Sequence, residues 1–217
     1  MTGELKKVME HCGILPNDLS KFPIDIVDMD RDDLAALFGK LGYRVGVELG
    51  VETGKYAEVL LRGNPNLMDL YLVDAWKAYD GYRDHVTQSK VDGLLQTAID
   101  RLKPWEHKTH YVRKFSLDAA KDFKDKSLDF VYIDANHALP YVMDDICAWE
   151  PKVRKGGIVA GHDYCRRGPG RYQCHVVEAV GAYTQAFFIK PWFVVGAKEA
   201  RDGEKRDRPR SFFWVKE

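Results

Sequence analysis

The sequence lacks several features that mark specialised classes of protein. Its 217 residues carry 33 basic and 33 acidic side chains, so it has none of the excess positive charge typical of nucleic-acid-binding surfaces. It contains no run of about 18 apolar residues, and residues 1–19 lack the apolar core of a signal peptide. Its four cysteines form no Cys-x-x-Cys pair, which argues against a structural zinc site and favours a reducing, cytoplasmic setting.

What the sequence contains is enough apolar material for a folded domain. Hydrophobic residues make up 45% of the chain and aromatic residues 12%, which excludes a wholly disordered protein. The length predicts one domain with small additions. We expect a polar N-terminal arm with a short helix over residues 1–29 and a single domain over residues 30–217.

Helix and strand patterns alternate along that domain. Leu34, Leu37, Phe38 and Leu41 have the spacing of one apolar helix face, and the same spacing recurs between the predicted strands. The predicted strands are residues 44–49, 70–73, 110–113, 128–133, 158–160, 192–195 and 212–215. Such alternation predicts a parallel α/β sheet covered on both faces. Right-handed crossovers bring the carboxyl ends of the strands to one edge, where ligands bind.

The first strand leads into a glycine-containing turn, VELGVETG. A dinucleotide fingerprint would need glycines at positions 48, 50 and 53, whereas this chain has Glu48, Gly50 and Thr53. A carboxylate at position 48 would repel a pyrophosphate and attract a cation. The motif therefore favours S-adenosylmethionine, which carries a sulfonium and an ammonium group, over a dinucleotide. A tight turn with a solvated glutamate is the alternative.

The next two strand ends fit an adenosine. Asp74 follows the second strand, and an acidic residue there can accept both ribose hydroxyls. A strand-end aspartate can also be no more than a turn former. Ser116 follows the third strand and is expected either to cap the next helix or to face the adenine edge.

Acidic and histidine residues follow the fourth and fifth strands. Asp134 and Asp163 would meet at the edge of the sheet, where two carboxylates repel each other unless a proton or cation lies between them. A divalent ion such as Mg²⁺, bound by both and by His162, could orient a substrate hydroxyl. His137 could then act as a general base. Alternatively, Asp134 binds only the cofactor's ammonium and the histidines fill polar gaps.

Together these motifs resemble class I S-adenosylmethionine-dependent methyltransferases. VELGVETG, LVDAW and SLDFVYID match the motifs of the first, second and fourth strands. The stretch IDANHALPYVMDDICAWEPKVRKGGIVAGHDY matches a small bacterial and phage group with the pattern ID-x-x-H…D-x-x-x-W-x-P-K-x-x-x-GG-x-x-x-GHDY. The resemblance covers about residues 30–217. It implies a Rossmann-like sheet of seven strands in the order 3-2-1-4-5-7-6, with the last strand antiparallel.

The same resemblance implies a function. The group is similar to metal-dependent O-methyltransferases of the catechol and macrolide-sugar types, although His162 departs from the acidic or amide residues those enzymes carry there. We expect an enzyme that methylates a sugar-like or phenol-like hydroxyl with the help of a divalent metal. Metal ligands would be Asp134, His162 and Asp163, and catalytic residues His137, Asp134 and Asp163. The expected cofactor contacts are Glu48, Gly50, Thr53, Gly54, Asp74, Ala75, Trp76, Phe115, Ser116 and Asp134.

The acceptor is less determined. Residues 76–83 offer aromatic side chains that suit a ring or a sugar, and residues 165–172 offer arginines that suit an anion. We expect a small-molecule acceptor, no nucleic acid and no membrane, and leave a homo-oligomer open. The absence of an Asn/Asp-Pro-Pro-Tyr/Phe motif disfavours a DNA base methyltransferase. A solvated segment is expected over residues 198–210. The alternatives are an NAD-binding oxidoreductase, a non-catalytic S-adenosylmethionine-binding subunit and a metal-assisted hydrolase.

Overall fold

The computed structural model of the chain describes residues 1–15, 19–78, 87–168 and 173–217. In this part of the chain the α-helices are α1 (Gly3–His11), α2 (Arg31–Lys40), α3 (Lys55–Gly63), α4 (Gln88–Leu102), α5 (Ser116–Ala120), α6 (Leu139–Trp149) and α7 (Val176–Ala186). The strands are β1 (Ile24–Ile26), β2 (Val45–Leu49), β3 (Asp69–Val73), β4 (Thr109–Val112), β5 (Leu128–Ile133), β6 (Val153–Gly161), β7 (Phe193–Val195) and β8 (Ser211–Val215).

The described strands form one sheet in the order β1-β7-β8-β6-β5-β2-β3-β4. Only β8 runs antiparallel to its neighbours among these strands. The predicted sheet of seven strands is therefore wrong in its strand number. Within the sheet, the seven predicted strands follow one another in the predicted order. The eighth strand, β1, lies beside β7, where Ile24 pairs with Phe193.

The N-terminal segment contributes to the core as well as to the sheet. Thr2 caps α1 by accepting a hydrogen bond from the Leu5 backbone N–H at 3.2 Å. The helix then buries Leu5, Val8 and Met9. Residues expected to form a polar arm thus cover part of one sheet face.

Apolar cores lie on both faces of the sheet, as predicted for a parallel α/β sheet. Side chains alternate between the faces along each strand. In β5, Phe130 and Tyr132 join the core under α1 to α4, while Val131 and Ile133 join the core under α5 to α7. None of the described helices has both the length and the apolar composition needed to cross a bilayer.

Candidate active site

Four adjacent parallel strands deliver the predicted motif residues to one edge of the sheet. The strands β3, β2, β5 and β6 lie side by side. Asp74 follows β3, Gly50 follows β2 and Asp134 follows β5, while His162 and Asp163 follow β6. Residues far apart in sequence therefore gather where ligands of α/β sheets bind.

A cavity of about 680 Å³ opens at this edge against α5 and α6. We call it the strand-end cavity. Its volume lies in the range of small-molecule and cofactor sites. Six of the predicted cofactor residues are at its wall: Gly50, Asp74, Ala75, Phe115, Ser116 and Asp134. The other four, Glu48, Thr53, Gly54 and Trp76, are absent from the described wall.

The turn after β2 depends on its glycines. Gly50 has a φ of +82°, and a Cβ atom there would collide with the backbone oxygen of Asp134. Gly54 has a φ of +71° and begins α3 in the left-handed conformation. Thr53 lies between them with its hydroxyl buried and without a hydrogen-bond partner among the described residues. The close approach of the two strand ends thus requires glycine at position 50.

Asp74 is held in place by backbone groups. Its Oδ2 accepts from the Glu52 N–H at 3.0 Å, and its Oδ1 accepts from the Trp76 N–H at 2.8 Å. A carboxylate can accept about four hydrogen bonds, so acceptor positions remain for ligand hydroxyls. Trp76 itself is fully buried and donates from Nε1 to the Glu52 carbonyl oxygen at 3.0 Å. The structure therefore gives Trp76 a place in the core.

Glu48 is buried behind the cavity wall. Only 1% of its surface is exposed, and its Oε2 has no hydrogen-bond partner among the described residues. Burial and the carboxylates of Asp134 and Asp74 raise the pKa of Glu48 well above its usual range, against the opposing charge of Arg31. Burial thus opposes the charged form of Glu48, and its predicted contact with a cationic ligand stays a prediction.

Two aspartates and two histidines form a compact group beside the cavity, which we call the carboxylate–imidazole cluster. His137 Nε2 lies 3.4 Å from Asp134 Oδ1 and 3.2 Å from Asp163 Oδ2. His162 Nδ1 lies 3.6 Å from Asp134 Oδ2 and 3.3 Å from Asp163 Oδ2. Asp163 has a φ of +53°, a conformation that aspartate tolerates better than most residues. The structure thus brings all four predicted residues together.

The imidazoles of the cluster favour the ionised form of Asp134. Burial opposes ionisation of Asp134, but hydrogen bonds from His137 and His162 outweigh it and lower its pKa below the usual range. Burial likewise opposes the charge on His162, yet Asp134 and Asp163 raise its pKa to about 10. The pKa of His137 is also raised, because the same carboxylates outweigh its burial. The imidazoles therefore supply positive charge that stabilises the carboxylate of Asp134.

Sequence reasoning missed Arg31, which reaches the cluster from the start of α2. Its Nη1 lies 3.4 Å from His162 Nε2, and its guanidinium lies 5.4 Å from the centre of the Tyr56 ring. The Tyr56 hydroxyl donates to the Arg31 carbonyl oxygen at 3.0 Å. A guanidinium can only donate, so this contact opposes the charged form of His162, which Asp134 and Asp163 favour from the other side of the ring. In the sequence, Arg31 lies in an aspartate-rich segment that predicts only the start of a helix.

Ser116 has a different local role from the predicted helix cap. It is the first residue of α5, Phe115 is the cap residue, and no side chain caps this helix. Ser116 Oγ instead accepts from Trp149 Nε1 at 2.8 Å, and Ser116 opposes the effect of burial on the pKa of Asp145. Asp145 is a further residue that sequence reasoning missed. It lies at the cavity wall with 5% of its surface exposed, and burial raises its pKa to about 7.

The two predicted acceptor regions are only partly described. Within residues 76–83, positions 79–83 lie outside the described residues, as do positions 169–172 within residues 165–172. In the described part, Arg166 pairs with Glu178 at 2.7 Å. The segment over residues 198–210, predicted to be solvated, is mostly exposed. It also contacts the N-terminal region, where Lys205 pairs with Asp33 and Arg210 pairs with Asp25 at 2.6 Å.

The family model described as a methyltransferase domain matches residues 47–164, more than half of the chain. The comparison with curated proteins gave no match. Among solved structures, the O-methyltransferase TomG from Streptomyces achromogenes, in complex with SAM, has a TM-score of 0.58 and 15% identity. The match covers 100% of this chain and 91% of that one.

Two further structures widen the comparison. The O-methyltransferase from Bacillus cereus in complex with SAH has a TM-score of 0.58 and 14% identity, covering 100% of this chain and 92% of that chain. The N-methyltransferase NodS from Bradyrhizobium japonicum WM9 has a TM-score of 0.54 and 14% identity, covering 86% and 95%. At these identities the likeness shows the fold, which proteins named for transfer to oxygen and to nitrogen share.

Proposed function

The chain belongs to the family of methyltransferase domains, and from this premise we propose that it moves a methyl group from S-adenosylmethionine to a hydroxyl of a small molecule. The observation that carries the proposal is the junction of two neighbouring sites. The strand-end cavity and the carboxylate–imidazole cluster share Asp134 and His137. A donor held in the cavity and an acceptor held at the cluster would therefore meet.

The cavity supports S-adenosylmethionine as the donor. Its volume of about 680 Å³ suits a nucleoside with a short side chain. Asp74 is anchored by backbone N–H groups and keeps acceptor capacity for ribose hydroxyls. Gly50 lines the cavity, and its lack of a side chain lets the ends of β2 and β5 approach each other closely. The acidic wall, which includes Glu52, Asp74 and Asp134, favours a cationic ligand over a pyrophosphate.

The cluster also fits a divalent cation. Ligand atoms of Asp134, His162 and Asp163 lie within 4.8 Å of one another, and two carboxylates are the oxygen ligands that Mg²⁺ takes. His162 is the weaker member of this set, because Arg31 faces its other ring nitrogen at 3.4 Å. When bound, such an ion would lower the pKa of an acceptor hydroxyl and orient it.

The side chains of this chain would do the rest by positioning and proton transfer. Asp134 lies at the wall of the cavity and in the cluster, so it can hold the two reactants in line, which is the largest contribution a protein makes to this displacement. His137 is the base closest to both carboxylates and can take up the acceptor's proton. Because its pKa is raised, it becomes neutral and active only as the pH rises above its usual titration range.

Calorimetric titration tests the donor site. S-adenosylhomocysteine and S-adenosylmethionine should bind, and NAD should not. Binding of NAD alone would favour the oxidoreductase alternative and overturn the proposal. Incubation with S-adenosylmethionine, Mg²⁺ and a panel of phenols and sugars should then release S-adenosylhomocysteine, detected by mass spectrometry. Binding of the donor without release from any member of the panel would favour a non-catalytic binding protein.

A further inference from the structure

Two of the four cysteines meet beside the carboxylate–imidazole cluster. Cys165 lies two residues after Asp163, and Cys174 lies two residues before the first residue of α7. Their Sγ atoms are 3.6 Å apart, and both are free thiols. The segment after β6 thus places a pair of thiols next to a residue of the cluster, and the proposed reaction does not use them.

Backbone contacts hold the two thiols together. Cys174 and Arg167 exchange two backbone hydrogen bonds of 3.1 Å each, as an antiparallel pair does. Cys174 Sγ also lies 3.3 Å from the backbone oxygens of Asp163 and Cys165, to which its S–H can donate. A disulfide has a sulfur–sulfur distance of about 2.05 Å. The two sulfur atoms therefore need to approach each other by only about 1.5 Å to form one.

The two thiols differ in their access to solvent. Cys165 is half-buried, whereas only 2% of the surface of Cys174 is exposed. Burial also raises the pKa of the Cys174 thiol to about 12. Because the thiolate is the attacking form and must reach its partner, an oxidant from solution meets Cys165 first. Cys174 is then the thiol that closes the protein disulfide, because its sulfur already lies against Cys165.

The reaction balances with a small dissolved disulfide, such as oxidised glutathione, as the oxidant. The Cys165 thiolate attacks one sulfur of glutathione disulfide, whose S–S bond breaks and releases one glutathione thiolate. Cys174 then loses its proton and attacks Cys165 Sγ in the mixed disulfide, which releases the second glutathione. The departing thiolates take up the protons that the cysteines lose. Two protein thiols are thus oxidised, and one glutathione disulfide is reduced to two thiols.

Both ends of the thiol pair are attached to the cluster. Asp163, which precedes Cys165 by two residues, lies with its Oδ2 3.2 Å from His137 Nε2. The backbone N–H of His175, next to Cys174, donates to the His137 carbonyl oxygen at 2.9 Å. A disulfide would draw the two sulfurs together and remove the S–H that Cys174 offers to the Asp163 carbonyl oxygen. Oxidation therefore acts on the backbone that positions Asp163 and His137.

We propose that Cys165 and Cys174 are a site of reversible oxidation, and that the disulfide between them shifts Asp163 from its place in the carboxylate–imidazole cluster. Formation of the disulfide does not depend on the proposed function, whereas its effect on methyl transfer rests on it. A displacement of about 1 Å can slow a reaction about a hundredfold, so the oxidised protein should be the less active form. Neither cysteine belongs to the described wall of the strand-end cavity, so donor binding should be insensitive to oxidation.

Peptide mapping tests the disulfide. The protein is equilibrated with mixtures of oxidised and reduced glutathione, quenched with acid and alkylated, and its non-reduced peptides are analysed by mass spectrometry. Wild-type protein should yield peptides joined through Cys165 and Cys174, and an excess of reduced glutathione should separate them. Cys174→Ser should stop at a glutathione adduct on Cys165. Cys147→Ser, the control that removes an exposed cysteine of α6, should still form the disulfide.

Three further measurements follow the consequences of oxidation. Methyl transfer to the acceptor found in the panel should fall at least about tenfold in the oxidised protein and return after reduction. The affinity for S-adenosylhomocysteine should change by less than about threefold. A crystal structure of the oxidised protein, which needs no acceptor, should show a separation of Asp163 and His137 greater than 3.2 Å. The double variant Cys165→Ser/Cys174→Ser should keep its turnover in oxidised glutathione.

The outcomes that would overturn the inference are distinct from failure of the proposed function. If the wild-type protein shows only free thiols or glutathione adducts in a large excess of oxidised glutathione, the site of oxidation is overturned. If the disulfide forms while the turnover and the separation of Asp163 from His137 stay unchanged, the shift of Asp163 is overturned. If neither the reduced nor the oxidised protein binds S-adenosylhomocysteine, the proposed function fails, and the peptide map and the crystal structure still decide the inference. Should a serine variant not fold, as judged by circular dichroism, the wild-type comparisons decide, because they need no substitution.

Discussion

The strand-end cavity and the carboxylate–imidazole cluster handle acidic side chains in opposite ways. In the cavity wall, Asp74 is held by two backbone N–H groups, and burial favours the protonated form of Asp145. In the cluster, hydrogen bonds from His137 and His162 keep Asp134 ionised despite burial. The difference indicates a division of labour. The cavity wall offers carboxyl groups that can accept hydrogen bonds from a ligand, and the cluster combines carboxylates with imidazoles.

Asp163→Asn should separate the two regions most strongly. The substitution removes a carboxylate that lies 3.2 Å from His137 and 3.3 Å from His162, and it lies outside the described wall of the cavity. Methyl transfer should fall by roughly a hundredfold to ten thousandfold. The affinity for S-adenosylhomocysteine should change by less than about threefold. Turnover measured on the acceptor found in the panel, together with calorimetry, checks both expectations.

The control for this variant is Asp100→Asn, an exposed position on α4. It should leave both quantities unchanged. Full turnover by the Asp163→Asn variant would contradict the proposed role of the cluster in methyl transfer. A variant that lost donor binding instead would mean that the two regions act as one site.

Asp74→Asn should have the reverse effect. The amide oxygen can still accept one of the two backbone N–H groups, but the charge that would face the ribose is lost. The affinity for S-adenosylhomocysteine should fall about tenfold to a hundredfold, as expected for hydrogen bonds to a charged group. Turnover at saturating donor should change little. The 2′-deoxy analogue of S-adenosylhomocysteine should lose less affinity than the parent ligand, and equal losses would contradict a ribose contact.

The sequence predicted the parts of this molecule that follow from chain order. Asp134, His137, His162 and Asp163 directly follow two strands, so the parallel topology alone brings them to the same edge. Strand β1 escaped prediction because three residues, Ile24–Ile26, are too short to display an alternating pattern. The order of elements along the chain thus predicts which residues meet at the carboxyl edge of the sheet, but it does not predict the extra strand β1.

Contacts that depend on how helices dock could not be read from the sequence. Arg31 reaches His162 across 131 positions of the chain, and no local pattern records that contact. Trp149 meets its acceptor Ser116 only because α6 packs on α5. Glu48 presents the same difficulty within a strand, since β2 is buried on both faces and its pattern does not tell which side chains face a ligand.

Asp145→Asn should change how stability depends on pH. Folding raises the pKa of Asp145 from 3.8 to about 7, so the folded state holds a proton that the unfolded state releases. This contribution to stability is fully present below about pH 4 and is lost as the pH rises through 7. The variant has no such titration, so relative to the wild type its free energy of unfolding should gain on the order of 4 kcal/mol between pH 4 and pH 8, at about 1.4 kcal/mol per pKa unit. Urea unfolding at the two pH values measures this, and parallel curves for both proteins would contradict it.

Glu48→Gln should have the smallest effect on donor binding among these variants. It tests most directly whether the cavity and the cluster treat buried carboxyl groups differently. The sequence predicts that Glu48 attracts the cationic methyl donor, which requires an ionised carboxylate. In the structure, burial and two neighbouring carboxylates favour the protonated form, which glutamine mimics. Glu48 is also absent from the described wall of the cavity. We therefore expect the affinity for S-adenosylmethionine to change by less than about threefold at pH 7. A loss of affinity of more than about tenfold would contradict this expectation. S-adenosylhomocysteine should then be affected equally, because it keeps the ammonium group. Such a result would mean that the bound donor ionises Glu48, and that the cavity, like the cluster, uses a buried carboxylate to hold positive charge.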